Sequence, residues 1–154
     1  MTATREASPA TTQPAKRRMP RLRPSQTFAF QVGDAEGFLI AGEYPGEGLG
    51  EIFVRLGKQG TTLSGVMDAL AISVSLGLQH GVPLEIYVRK LTNTRFEPSG
   101  PTSDPQVRFA TSLVDYLFRR LALEYMPQQQ RRELGILTAE EQADPTKARE
   151  ITLA

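Results

Sequence analysis

The segment Gly57–Pro83, GKQGTTLSGVMDALAISVSLGLQHGVP, predicts the main helix of this protein. Apolar residues recur in it at the spacing of one helical face: Leu63, Val66, Met67, Leu70, Val74 and Leu78. Further apolar residues point to the other faces, and the only charged residue within the predicted helix itself is Asp68. The helix is therefore predicted to be buried on most sides and to form the centre of the core.

The ends of this helix carry recognisable signals. Thr61 or Thr62 can act as the N-cap, because a threonine hydroxyl accepts a hydrogen bond from a free backbone N–H of the first turn. Gly81 followed by Pro83 is a typical stop signal.

Upstream of the helix, the apolar pattern has a period of two and predicts three strands. The first begins near Gln26, the second spans 37–42 and the third spans 50–56. Short turns between them favour an antiparallel meander, one face of which needs a cover. The helix follows the third strand directly and is predicted to supply that cover.

Two further helices are predicted downstream. One spans 84–91, and the other begins at Asp104 as N-cap with Pro105 at its first position. Asp115 and Arg119 are predicted to form an i,i+4 pair on the face of that helix away from the core. The fold class is α+β, with a three-stranded antiparallel meander packed on a central buried helix plus two further helices.

The chain is predicted to divide into three parts. Residues 1–24 form a disordered basic arm or linker, 25–141 form the α+β domain and 142–154 form a flexible tail. The arm has a net charge of +5 and the remainder −4. The basic residues near the end of the arm are Lys16, Arg17, Arg18, Arg21 and Arg23. They are either part of a solvated linker or a contact for nucleic acid or an acidic partner.

Composition excludes several kinds of chemistry. The sequence has no cysteine and a single histidine, His80. Disulfides, cysteine nucleophiles and thiol redox chemistry are excluded for this sequence, and a histidine metal cage or a catalytic triad is not expected. No catalytic residue and no metal site is assigned. No run of eighteen apolar residues and no secretory signal is found, so a cytoplasmic protein without a membrane span is expected.

A turn rich in glycine and threonine precedes the main helix and is a candidate anion, nucleotide or docking site. Its residues are Lys58, Gln59, Gly60, Thr61 and Thr62. It lacks the glycine spacing of a P-loop, but helix N-terminal amides and a lysine can hold an anion. The alternative is a tight turn whose threonine only caps the helix.

Four other polar residues are candidates for function. Asp68 is expected to pair with Arg95, Arg89 or Lys90, since an unpaired buried carboxylate is costly. His80 is expected to interact with the carbonyl end of the helix. Arg95 and Glu97 flank Phe96 in a loop, either as functional residues or as local partners in a loop that Phe96 anchors to the core.

Taken together, six segments resemble the C-terminal region, often called the TSCPD domain, of adenosylcobalamin-dependent (class II) ribonucleotide reductases. They cover roughly residues 16–141 in the same order and comprise 17–25, 50–54, 58–68, 78–85, 95–98 and 115–121. The family reduces ribonucleotides by means of a thiyl radical on a cysteine of its catalytic barrel. This sequence lacks the barrel and every cysteine, and Thr102–Pro105 matches only part of the motif that names the domain.

The resemblance therefore implies a stand-alone relative that acts with a reductase barrel in trans, as an accessory or split-subunit piece in deoxyribonucleotide synthesis. Adenosylcobalamin is then expected only in the partner reductase. The alternative is a freestanding binding or regulatory module that uses its basic arm on nucleic acid or an acidic partner.

Overall fold

The computed structural model describes residues 15–144. Three antiparallel strands form a sheet in the order β1-β2-β3. They are β1 Ser25–Val32, β2 Ala35–Tyr44 and β3 Gly48–Leu56. Five helices are described: α1 Thr62–Gln79, α2 Leu84–Leu91, α3 Leu113–Tyr125, α4 Gln128–Glu133 and α5 Ala139–Ala143. A second, two-stranded sheet pairs β4 Gly100–Pro101 with β5 Phe109–Ala110. The predicted α+β class and the meander are confirmed, and the two short C-terminal helices are additional.

The sheet has one buried face and one open face, as the alternating pattern predicts. Leu39 of β2 lies opposite Val54 of β3, and both are buried in the core beneath the sheet. On the other face, Ile40 lies opposite Phe53 and Phe38 lies opposite Arg55. Phe38 is 50% exposed and Phe53 is 41% exposed, so this face carries aromatic side chains at the surface.

Helix α1 lies along β3, one of the two edge strands of the sheet. The Ser75 hydroxyl accepts a hydrogen bond from the Ile52 amide at 2.9 Å and donates one to the Ile52 carbonyl at 3.1 Å. The Gln79 side-chain amide donates to the Gly50 carbonyl at 3.2 Å. Side chains of α1 thus satisfy edge groups of β3 that would otherwise be open to another strand.

The prediction that α1 is buried on most sides is wrong. Met67, Ala71 and Val74 face the core. Val66, Ile72 and Leu76 are 58%, 62% and 43% exposed, because the helix has the sheet on one side only and no other described element covers its outer side. Apolar composition alone could not show which of its faces has a partner.

By length and composition α1 is apolar enough to cross a membrane, with 18 residues and a mean hydropathy of 1.3. The expectation that no segment is long and apolar enough to cross a membrane is therefore not met. One such helix is by itself weak evidence for a membrane span.

The third predicted helix begins eight residues later than expected. Helix α3 starts at Leu113, and its N-cap is Ser112, whose hydroxyl accepts from the Asp115 amide at 2.9 Å. Asp104 instead caps a short turn, in which the Gln106 amide donates to Asp104 Oδ1 at 2.9 Å. An Asp-Pro pair opens a turn as readily as a helix, and here the chain continues into β5 before α3 begins. Apolar side chains of α3 face the core, and Leu117, Phe118 and Leu121 are fully enclosed.

Substitution by alanine is expected to have opposite effects at two glycines of α1. A Cβ on Gly77 would lie 1.7 Å from the Tyr87 hydroxyl oxygen, whereas a Cβ on Gly65 would have no atom within 4 Å. Gly65→Ala should stabilise the protein by about 0.5–1 kcal/mol, because alanine is the better helix former. Gly77→Ala should destabilise it by about 1–3 kcal/mol through overpacking against the rigid ring. Urea unfolding of both variants measures the difference, and stabilisation by Gly77→Ala would show that Tyr87 moves aside freely.

Candidate functional site

The turn before α1 forms its hydrogen bonds within itself. The Ser64 amide donates to Thr61 Oγ1 at 3.1 Å, which confirms Thr61 as the N-cap. Gly60 has a positive φ of 77°, and the Gln59 side-chain amide donates to the Leu56 carbonyl. Thr62 is the first residue of the helix and is exposed. These contacts support the interpretation of a structural capping turn.

The charges around Lys58 also disfavour an anion at this turn. A groove of about 490 Å³ beside Lys58 is lined by three carboxylates, those of Asp34, Glu36 and Glu97. One lysine among three acidic groups gives a negative local potential, which repels phosphate. A phosphate or nucleotide site at Lys58 remains a prediction without support from this geometry.

Asp68 has none of its predicted partners. Within residues 15–144 it forms no ion pair, and Arg89 pairs with Glu85 at 2.7 Å instead. Asp68 is half-buried and lines a groove of about 470 Å³ between β3 and α1, together with Lys16 and Arg55. Partial exposure to water explains how the carboxylate is accommodated without an ion pair.

His80 ends α1 as predicted. Its ring Nδ1 donates to the Leu76 carbonyl at 2.7 Å, and its backbone amide bonds the Leu76 and Gly77 carbonyls at 3.1 Å. Gly81 follows with a φ of 90°, and the Val82 amide donates to the Gly77 carbonyl at 2.9 Å. His80 thus satisfies carbonyl groups at the helix end.

The loop that contains Arg95 and Glu97 is not anchored by Phe96. The Phe96 side chain is 41% exposed, and in the described part of the chain Arg95 and Glu97 form no ion pair. The loop is held by its backbone instead, since the Phe96 amide donates to the Thr111 carbonyl at 3.2 Å. The prediction of local charge pairing at this loop is therefore wrong.

A buried carboxylate that the sequence placed at the surface fixes this loop. Asp115 is 1% exposed and accepts hydrogen bonds from the Asn93 amide at 2.6 Å and the Thr111 amide at 3.0 Å. Arg119 Nε donates to it at 2.8 Å. Asn93 has a positive φ of 66°, which aims its amide at the carboxylate. No local signal reveals this role, because one partner lies 22 residues away along the chain.

Asp104 organises a second buried cluster. It accepts from the Tyr116 hydroxyl at 3.0 Å and from Arg120 Nη1 at 3.0 Å. The Arg120 guanidinium also lies 5.1 Å from the centre of the Phe28 ring. Burial, followed by the nearby Asp104 charge, raises the pKa of Tyr116 well above its ordinary value, so its hydroxyl stays protonated and donates. The cluster ties the β4–β5 region to α3 and β1.

Residues 15–24, here called the strap, lie against the domain. The Arg17 amide donates to the Gln79 carbonyl at 2.8 Å, and the Tyr44 hydroxyl donates to the Arg17 carbonyl at 2.7 Å. The Arg17 guanidinium lies 4.1 Å from the centre of the Tyr44 ring and pairs with Glu47.

The far end of the strap is held in the same way. Arg23 Nε lies 2.5 Å from Glu51 Oε1, and the Glu43 amide donates to the Pro24 carbonyl at 2.9 Å. The strap therefore joins the end of α1 to the end of the sheet.

These contacts correct the predicted extent of the disordered arm. Ordered structure does not begin near Ser25, since residues 15–24 are in contact with the domain, while residues 1–14 and 145–154 lie outside the described residues. Arg17 and Arg23 are engaged by Glu47 and Glu51. Among the described residues, only Lys16, Arg18 and Arg21 of the predicted basic set have no ion pair.

The open side of the sheet and the outer side of α1 form one surface. We call it the apolar face and define it by its members: Phe38, Ile40, Phe53, Ile72 and Leu76. Phe53, Ile72 and Leu76 line the same groove between β3 and α1. Exposed apolar clusters of this kind mark interaction surfaces more often than single exposed residues do.

These features define a small α+β domain with a tightly bound N-terminal strap and an exposed apolar face. Residues 4–125 match the model of the TSCPD domain, and the chain belongs to that family. Helices α4 and α5 lie beyond the matched residues.

Curated relatives extend this result. The chain is 57% identical over 129 residues to the vitamin B12-dependent ribonucleotide reductases of Streptomyces avermitilis and Streptantibioticus cattleyicolor. The match covers 84% of this chain but only 13% and 22% of those proteins. The reductase of Rhodopirellula baltica is 42% identical over 74% of this chain and 11% of its own length. No solved structure matches the chain. The chain is thus related to the C-terminal region of these reductases, as the sequence resemblance implied.

Proposed function

We propose that this chain is a non-catalytic accessory domain, or a split-subunit piece, of a vitamin B12-dependent ribonucleoside-diphosphate reductase. It acts in trans with the catalytic barrel, in the cytoplasm, in the synthesis of deoxyribonucleotides. One observation carries the proposal. The chain is 57% identical to the reductase of Streptomyces avermitilis over 84% of its own length, but the match covers only 13% of that reductase. The rest of such an enzyme has to supply the chemistry, because this sequence contains no cysteine to hold a radical or deliver electrons.

The side chains of this domain do not fit an adenosylcobalamin site. The only histidine already uses its Nδ1 on the Leu76 carbonyl, at the exposed end of α1. No thiol is present to receive a radical from the cofactor. We therefore propose that the cofactor binds to the partner reductase, and no step of the reaction is assigned to residues of this chain.

The proposal predicts the activity of the protein on its own. Purified alone and supplied with adenosylcobalamin and a dithiol, it should reduce neither cytidine nor adenosine nucleotides above background. The complete reductase of Streptomyces avermitilis, assayed in parallel, serves as the positive control. Product formation is measured by chromatography of the nucleosides, and turnover by the lone chain would overturn the assignment of a non-catalytic role.

The alternative function is a binding or regulatory module that uses its basic residues on nucleic acid or an acidic partner. Lys16, Arg18 and Arg21 are the residues that remain for it, because Arg17 and Arg23 hold the strap in place. Nucleic-acid binding that weakens steeply with salt, and that disappears when those three residues become glutamine, would favour this alternative. Keeping the two paired arginines preserves the fold in that experiment.

A further inference from the structure

We infer that the apolar face is the surface by which this domain docks on the catalytic region of the reductase, an inference that rests on the proposed function. The face joins the open side of the sheet to the outer side of α1. Phe38 and Phe53 are 50% and 41% exposed, and Ile72 and Leu76 are 62% and 43% exposed. Aromatic and aliphatic anchors around a groove of about 470 Å³ are the features that protein interfaces use at their centres.

The hydrogen bonds at the edge of the sheet restrict how a partner can dock. Ser75 and Gln79 already bond the backbone of Ile52 and Gly50, so this part of β3 cannot accept an added strand. A partner must therefore bind through side chains that pack on the face. Arg55, Lys16 and Asp68 border the groove and supply charges of both signs at its rim.

Two observations identify the occupant as the catalytic region. The relatives contain this domain as only 13% of their length, so most of their chain is available as a neighbour for an open face. The strap borders this face, because Lys16 lines the groove and Arg23 pairs with Glu51 on the same side of the sheet. A catalytic region that is joined to this domain through the strap would therefore have the groove beside it.

The N-terminal segment of this chain is a poor occupant. Residues 1–14, MTATREASPATTQP, contain a single large apolar residue, Met1. Such a sequence offers no aromatic or aliphatic anchor for a groove formed by Phe53, Ile72 and Leu76.

The test compares matched variants in binding to the reductase. The full chain is tagged and recovered from its source cells, and a vitamin B12-dependent reductase chain bound to it is identified by mass spectrometry. The affinity of that purified chain is then measured for the wild type, Phe53→Asp, Ile72→Asp and Phe109→Asp. Phe109 is the control, because it is 62% exposed but lies in the separate β4–β5 sheet. Circular dichroism and melting verify that each variant is folded.

The first two variants should bind at least about thirtyfold more weakly, as expected for the loss of an interface anchor, and the control should change less than about threefold. Equal binding by all variants would overturn the inference while leaving the proposed function in place. Failure of the wild type to bind any reductase chain would overturn both. The protein could also form a dimer that Phe53→Asp dissociates while reductase binding stays unchanged. That result would assign the face to a second copy of this chain and would also overturn the inference.

Discussion

Asp115→Ala should lower the free energy of unfolding by about 3–5 kcal/mol, the cost of breaking a buried, fully bonded ion pair. The substitution leaves the Asn93 and Thr111 amides without their acceptor and Arg119 without its carboxylate. Unsatisfied buried donors keep their desolvation cost, which makes such a loss larger than the value of the bonds themselves. A domain of this size has a total stability of about 5–15 kcal/mol, so the effect is a large part of it.

Glu85 provides the matched control for this prediction. It also forms an i,i+4 pair with an arginine, Arg89, at 2.7 Å, but both side chains are substantially exposed. Glu85→Ala should cost only about 0.3–0.5 kcal/mol. Urea unfolding of both variants gives the comparison. Equal losses would show that Asp115 behaves as an ordinary surface pair and that the loop 92–111 is held by other contacts.

Glu141→Gln should destabilise the C-terminal helices by about 3 kcal/mol at neutral pH. The Glu141 carboxylate accepts two hydrogen bonds of 2.7 Å from the Arg131 guanidinium and one of 3.1 Å from the Thr138 amide. Arg131 also donates to the Ile136 carbonyl at 3.1 Å, so the pair holds α4, α5 and the segment between them together. Glutamine retains only one acceptor oxygen and no charge.

The pH dependence of this effect has a definite sign. The Arg131 hydrogen bonds, more than any other contact, hold the pKa of Glu141 below its ordinary value of 4.5. A carboxyl group with a lowered pKa in the folded state contributes stability above its ordinary pKa, and that contribution is lost as the pH falls below it. The difference between the wild type and Glu141→Gln should therefore be constant from pH 7 to about pH 5 and shrink progressively below about pH 4.5.

Hydrogen exchange of the α4 and α5 amides measures this difference locally, even where the rest of the domain stays folded. Glu140→Gln is the control, because Glu140 is exposed on the same helix. It should cost less than about 0.5 kcal/mol at every pH. A gap between the wild type and Glu141→Gln that stays constant down to pH 3 would contradict the assigned role of the ion pair.

Local patterns were sufficient for much of the fold. The alternation of Phe28 and Phe30 with small and polar residues predicts β1, and the Gly81 signal marks the end of α1. These features depend on neighbours within a few residues, which the sequence displays directly.

The errors concern contacts between distant residues. The prolines and arginines of the strap predict a linker, but the partners of Arg17 and Arg23 lie about 30 residues away along the chain. The helical pattern likewise predicts Asp115 at the surface, because the sequence does not show its contact with Asn93, 22 residues away.

The candidate site shows the same difference between local interactions, which the sequence displays, and the packing of distant elements, which it does not. The sequence predicts Thr61 or Thr62 as the N-cap and His80 at the carbonyl end of α1, and the structure has Thr61 and His80 in these positions, since a cap is a local interaction. The sequence does not predict the apolar face, because an exposed helix and a buried one can have the same apolar composition. Only the position of α1 at the edge of the sheet shows that Ile72 and Leu76 remain open.

Affinity purification of the tagged chain from its source cells, followed by identification of the bound proteins, tests the central claim most directly. The proposed function predicts that a vitamin B12-dependent ribonucleotide reductase chain is recovered in near-equal amount with this domain and survives a wash at moderate salt. Recovery of the intact domain without any reductase chain would contradict it.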